Sequence, residues 1–181
     1  MKRDRVEDLT KKEVKLFYRR AHFLDVPLIF QLLLEGAESG SFSEVFVTRT
    51  GICTLFSVIF RSVAMQFFQS KKSSSRYEWH IISNADRVEV GFLKVHKGLG
   101  TGRDSNLELL AICPAYRNQG LGAAVLEYIA SEVPKDGHLY IHCTKYAKAM
   151  QHILKRHNLK RNTKFRVPQI EEYKSNWRKP T

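Results

Sequence analysis

The stretch Leu107-Glu108-Leu109-Leu110-Ala111-Ile112-Cys113-Pro114-Ala115-Tyr116-Arg117-Asn118-Gln119-Gly120-Leu121-Gly122-Ala123 holds a strand, a turn and the start of a helix. Residues 106–112 are apolar except for Asn106 and Glu108, which predicts a strand buried on both faces. Pro114 ends it. Two glycines one residue apart then open a helix over 120–132, where Leu121, Val125, Leu126 and Ile129 fall at helical spacing before Pro134. Free amides at a helix start bind phosphate oxygens when glycine lets the backbone come close. Arg117 adds a positive charge beside them. The physical reading is a pyrophosphate site at the end of a strand; the alternative is a tight strand-to-helix turn. Two other nucleotide motifs are not formed. Val125 stands where Gly-x-Gly-x-x-Gly needs its third glycine, and no Gly-Lys-Ser or Gly-Lys-Thr occurs. Gly98-Leu99-Gly100-Thr101-Gly102 leads into a strand and reads as a flexible turn.

Outward from this stretch, the chain reads as a mixed α/β domain with a central sheet. Leu16 to Phe23 predicts a strand. Asp25 caps a helix with Pro27 in its first turn and Gly36 at its end. Residues 43–69 predict a second helical region, with Val45 to Val47 open to an extended form. Strands over 77–83 and 88–97 form a hairpin about Asn84-Ala85-Asp86. After the motif helix come a strand over 138–143 and a helix over 147–157. The order is β-α-α-β-β-β-α-β-α, divided as a charged segment 1–15, a domain 16–166 and a basic tail 167–181.

Composition narrows the classes. The chain has 181 residues, 43% of them hydrophobic, which suits one ordinary domain with a real core. Its formal net charge is +12, and residues 135–181 carry 12 basic and 3 acidic residues. That excess points to an anionic partner, whether nucleic acid, acidic peptide or phosphorylated cofactor, or else to a solvated surface. No secretory signal opens the sequence, and the uncharged run Thr50 to Phe60 is too short to cross a bilayer. Cys53, Cys113 and Cys143 form no CxxC pair and read as reduced thiols in a cytoplasmic protein. No metal site is expected. His138 and His142 are about 13 Å apart in a strand, and His152 and His157 stand about 140° apart on a helix.

Ile112-Cys113-Pro114 followed by Arg117-Asn118-Gln119-Gly120-Leu121-Gly122 resembles motif A of the Gcn5-related N-acetyltransferase (GNAT) superfamily. The element order over residues 16–166 is similar as well. The resemblance implies the GNAT fold, a mixed sheet flanked by helices whose motif strand splays from its neighbour. It also implies acetyl-CoA as cosubstrate. Backbone groups of Leu110, Ala111 and Ile112 would line the pantetheine and thioester. Arg117, Asn118, Gln119, Gly120, Leu121, Gly122 and Ala123 would hold the pyrophosphate, and part of the basic excess would answer its charge. The resemblance places the amine acceptor between the first two helices and the loop before the last strand. Residues 36–72 and those after 160 would then set specificity.

Acetyl transfer to an amine needs a proton removed, an oxyanion stabilised and a thiolate released. Glu108 is the acid within the motif strand. By strand alternation it shares a face with Leu110 and Ile112, so it is the candidate general base; the alternative is a strand-edge acid paired with Lys or Arg. In relatives a tyrosine of the last helix protonates the thiolate, but counting back from Asn158-Leu159 puts Leu154 there and Ala147 at the usual asparagine. His152 or Tyr146 is the substitute, unless the thiolate leaves unprotonated. Cys113 reads as a structural thiol. The phenylalanines at 42, 46, 56, 60, 67 and 68 read as core or as a homodimer face. Basic and aromatic residues between Asn162 and Trp177 suit either single-stranded nucleic acid or a packed last strand. Three readings follow: an N-acetyltransferase acting on a primary amine of a small molecule or peptide, a CoA-binding module without catalysis, and an RNA-associated acetyltransferase.

Overall fold

The computed structural model describes residues 15–42, 48–68, 76–99, 102–162 and 170–175. In chain order the elements are β1 (Phe17–Arg20), α1 (Val26–Glu38), α2 (Arg49–Phe68), β2 (Arg76–Ser83), β3 (Glu89–Leu99), β4 (Asp104–Ile112), α3 (Leu121–Glu132), β5 (Leu139–Thr144), α4 (Lys148–Arg156), β6 (Lys160–Arg161) and β7 (Ile170–Ser175). Among the described residues, seven strands form one sheet in the order β1-β2-β3-β4-β5-β7-β6. Every pairing is antiparallel except that of β4 with β5. The expected mixed α/β architecture is the one observed.

Each face of the sheet carries its own core. Leu93, Leu107 and Ile141 meet Val125, Ile129 and Leu154 of α3 and α4 on one side. Trp79, Ile81 and Phe92 meet Ile29 and Leu33 of α1 and Ile59 and Val63 of α2 on the other. Gln66 locks α2 down. Its side-chain amide donates to Ala21 C=O at 2.5 Å and accepts from Trp79 N–H at 3.0 Å. A buried amide with both ends bonded holds its helix in one position, because sliding would orphan two backbone groups.

Several expectations change in detail. Asp25 precedes α1 but makes no side-chain cap to it. Its carboxylate instead accepts from both Arg19 Nη atoms, at 2.7 and 2.8 Å, and from His22 N–H at 2.6 Å. Gly36 does not end α1, which runs on to Glu38. The glycine is needed for packing, since the Phe42 ring fills the space a Cβ would take. The second helical region is α2, and Val45 to Val47 lie outside the described residues. Arg61 does not interrupt α2, so the helix is long and apolar enough to cross a membrane by length and composition, unlike the shorter uncharged run counted in the sequence. The domain also reaches beyond residue 166. β7 lies between β5 and β6, with Leu139 opposite Ser175 and Lys160 opposite Lys174.

Glu78 is buried on β2 among cations. Arg20, Arg76 and Lys97 reach its carboxylate at 3.1, 2.7 and 3.2 Å, and His80 Nε2 lies at 3.3 Å. The His80 hydrogen bond, followed by Lys97 and Arg76, outweighs burial and holds this carboxyl far below its ordinary 4.5. A depressed carboxyl stabilises the fold fully above its unfolded value and loses that contribution as the pH falls toward the folded one. We therefore expect the urea midpoint to drop as the pH falls below 4.5. Glu78→Gln should be less stable near neutrality, with a shallower decline between about pH 4.5 and 3.

Candidate functional site

β4 and β5 pair through only three residue pairs: Ser105 with Leu139, Asn106 with Tyr140 and Leu107 with Ile141. Beyond them β4 runs on to Ile112 and β5 to Thr144 without touching as strands. Both remain held on their outer sides. β4 stays paired with β3 up to Gly91–Ile112, and β5 with β7 up to Thr144–Ile170. The sheet therefore opens between them. Leu110, Ala111 and Ile112 form one lip of this opening. Thr144 closes the tip of the other lip, its hydroxyl donating to Gly40 C=O at 2.9 Å while its own C=O accepts from Gln151 Nε2 at 3.1 Å.

The glycine turn lies at the end of β4. Pro114–Tyr116 make one turn of 3-10 helix, and two residues then take left-handed backbone, Asn118 at φ 61° and Gly120 at φ 80°. Nothing lies within 4 Å of where a Gly120 Cβ would stand, so the glycine answers a backbone angle and leaves open space in front. Gly122 has another reason, because its Cβ would come within 3.0 Å of Ile153 Cδ1 on α4. The first bond reaching into α3 runs from Ala124 N–H to Gly120 C=O at 3.1 Å. The amides of Leu121, Gly122 and Ala123 thus have no acceptor within the helix. Such an arrangement can bind phosphate oxygens, with amides that have no helical acceptor, a positive helix end and open space before Gly120. Arg117 is turned partly elsewhere. Its Nε donates to Ile112 C=O at 2.9 Å, and its Nη2 lies 3.8 Å from Glu35 of α1. Gln119 bonds back to Ala115 C=O at 3.3 Å.

Glu108 does not share a face with Leu110 and Ile112. β3 residues Lys94 and Val95 oppose Leu109 and Leu107, so Glu108 is the extra residue of a bulge. The cores record the inversion. Leu107 packs on the α3 side and Leu109 on the α1 side, although residues two apart normally share a face. Glu108 pairs with Lys94 Nζ at 2.6 Å, and that ammonium also lies 5.4 Å from the Trp79 ring of the α1–α2 core. Alternation fails here because one strand carries a residue its neighbour does not match. Nothing in the sequence links Lys94 to Glu108; only the register does.

His152 is exposed on α4, about 160° around the axis from Leu154. Leu154 is wholly buried, so the helix aims His152 away from the core. Tyr146 is closer to the lips. It follows β5, is exposed, and lies 3.5 Å from where a Gly40 Cβ would stand. The sequence also hides His142, whose Nε2 lies 2.8 Å from Glu172 on β7. Burial pushes the Cys113 thiol up, and Cys143 up to about 11, which suits structural thiols. In the C-terminal segment, Tyr173 is buried with its hydroxyl on Glu171 at 2.9 Å, so it cannot stack on a base. Lys164, Arg166 and Trp177 lie outside the described residues.

Residues 56–158 match the model of the acetyltransferase (GNAT) family. No curated protein matches the chain by sequence. Among solved structures, an acetyltransferase from Thermus thermophilus is similar with a TM-score of 0.65 at 18% identity, over 88% of this chain and 96% of that one. PaiA N-acetyltransferase from Thermoplasma acidophilum, in complex with coenzyme A, gives 0.68 at 12% identity, over 90% and 99%. Spermidine N-acetyltransferase from Vibrio cholerae, in complex with CoA and spermine, gives 0.60 at 11% identity, over 88% and 93%. At these identities the likeness is one of fold.

The two glycines separate by substitution. Gly120→Ala should cost about 1–2 kcal/mol through its left-handed backbone alone. Gly122→Ala should cost less and recover when Ile153→Val removes the methyl it meets. Urea unfolding of the three variants measures both effects.

Proposed function

The chain belongs to the acetyltransferase (GNAT) family, and on that premise we propose that it is an acetyl-CoA-dependent N-acetyltransferase acting on a primary amine of a small molecule or peptide. The observation that carries this reading is the opening between β4 and β5 with the glycine turn at its mouth. The residues present suit the cosubstrate. The open space before Gly120 and the amides of Leu121, Gly122 and Ala123 suit a pyrophosphate. On its β5 side, the edge of β4 over Leu110, Ala111 and Ile112 has no strand partner among the described residues and offers backbone groups to a pantetheine arm. Arg117 is close enough to the turn to add charge. When bound, acetyl-CoA supplies an acyl group already activated as a thioester. Much of the rate can then come from positioning by the two lips.

Glu108 faces the side of the sheet that α1 and α2 cover, the side on which the acceptor is expected. There its carboxylate binds the incoming ammonium and takes up its proton, while Lys94 holds it in place. Two of the similar structures are named as N-acetyltransferases, which supports nitrogen as the acceptor atom. One observation favours a second reading, a CoA-binding module without turnover. Where the family resemblance places a tyrosine acid, Leu154 is sealed in the core.

Isothermal titration with acetyl-CoA comes first. Wild type should bind, and Gly120→Glu, which puts bulk and negative charge into the open space at the turn, should not, while keeping its circular dichroism. Against a panel of primary amines, Glu108→Gln should then lower kcat/KM by roughly a hundredfold with acetyl-CoA affinity unchanged. A wild type that binds acetyl-CoA and acetylates none of the panel would favour the second reading.

A further inference from the structure

α2 is committed to the domain on one stripe only. Leu55, Ile59, Val63 and Gln66 are buried against the sheet and α1. Phe56, Val58, Phe60, Met65, Phe67 and Phe68 are exposed, Phe68 to 87%. The turn before α1 extends this surface, with Phe23 exposed and Leu24 exposed to 77%, and His22 in ring contact with Phe67 at 5.8 Å. Isolated exposed apolar residues are ordinary, but six on the two flanks of one helix, joined at Phe67 to the turn before α1, point to an interaction site.

Charge identifies the occupant. No acidic residue occurs from Val45 to Tyr77, while Arg49, Arg61, Lys71, Lys72 and Arg76 do. Arg76 is paired with Glu78, and Arg61 is exposed between Val58 and Met65 on the outermost stripe. A second copy docked on this stripe by a twofold axis would bring Arg61 toward its own kind, with no acid from this segment to answer it. An exposed apolar helix with a cation on its outward stripe suits a layer that is apolar beneath and anionic at its rim. We propose that the outward face of α2, with Phe23 and Leu24, lies flat on an anionic lipid surface. The helix is long enough to span a bilayer, yet the bonds of Gln66 to Ala21 and Trp79 keep it on the domain. Contact is therefore peripheral. The long Arg61 side chain reaches the headgroups while its neighbours enter the acyl boundary.

The test is co-sedimentation of the full chain with vesicles of phosphatidylcholine alone and of phosphatidylcholine with phosphatidylglycerol. Retention should be at least about tenfold greater on the anionic vesicles and should weaken with added salt. The double variant Met65→Glu/Phe68→Glu should lose about tenfold or more in retention, with its circular dichroism and acetyl-CoA titration unchanged. Arg61→Gln should lose the preference for anionic lipid while keeping the fold. Equal retention on both vesicles, none on either, or an undiminished double variant overturns the proposal. A dimer in sedimentation equilibrium that the double variant converts to monomer assigns the face to a second copy and also overturns it.

Discussion

Two strands that begin paired and then separate impose the main constraint on this molecule. Separation leaves backbone groups of β4 and β5 without each other, so both strands must be held from outside. β3 holds β4 along its length, and β7 holds β5. The helices respond to the same demand. Gly122 lets α3 and α4 approach closely over the gap, and Gln151 ties α4 to the end of β5. The opening is thus a rigid feature with reinforced edges. That is what a site working by positioning requires.

Much of this was legible in residues 107–123. The apolar strand, the proline stop and the paired glycines each have a local physical cause, and local causes survive into the fold. The bulge at Glu108 was not legible, because it arises from unequal residue counts on two strands and neither strand shows it alone. Its consequence is large, since the acid moves to the opposite face of the sheet. The placement of β7 was hidden for a related reason. A basic segment late in the chain reads as a tail until its partner is known, and that partner is a strand from earlier in the sequence. The aromatic run of α2 was legible only in part, because Phe56, Phe60, Phe67 and Phe68 are exposed on the single chain and not in its core. A helix has one buried stripe, here Leu55, Ile59 and Val63, and spacing alone does not say which of the remaining apolar residues it leaves outside.

Charge is used differently in different parts of the molecule. Around Glu78, cations gather on one buried acid and serve the fold. Along α2 they have no acid within the segment. Near the glycine turn, Arg117 is shared between a strand carbonyl and Glu35, a modest hold that a stronger anion can displace. Net charge alone would have merged these three roles. Burial and partners separate them.

The late position of β7 bears on how the molecule is made. While the chain is being synthesised, β5 has the first part of β4 on one side and open backbone on the other until residues 170–175 have emerged. An unpaired strand edge is a template for foreign strands. The nascent domain is therefore most vulnerable to misassembly at the stage when its site is otherwise complete. β7 then works as a seal, covering the open edge of β5.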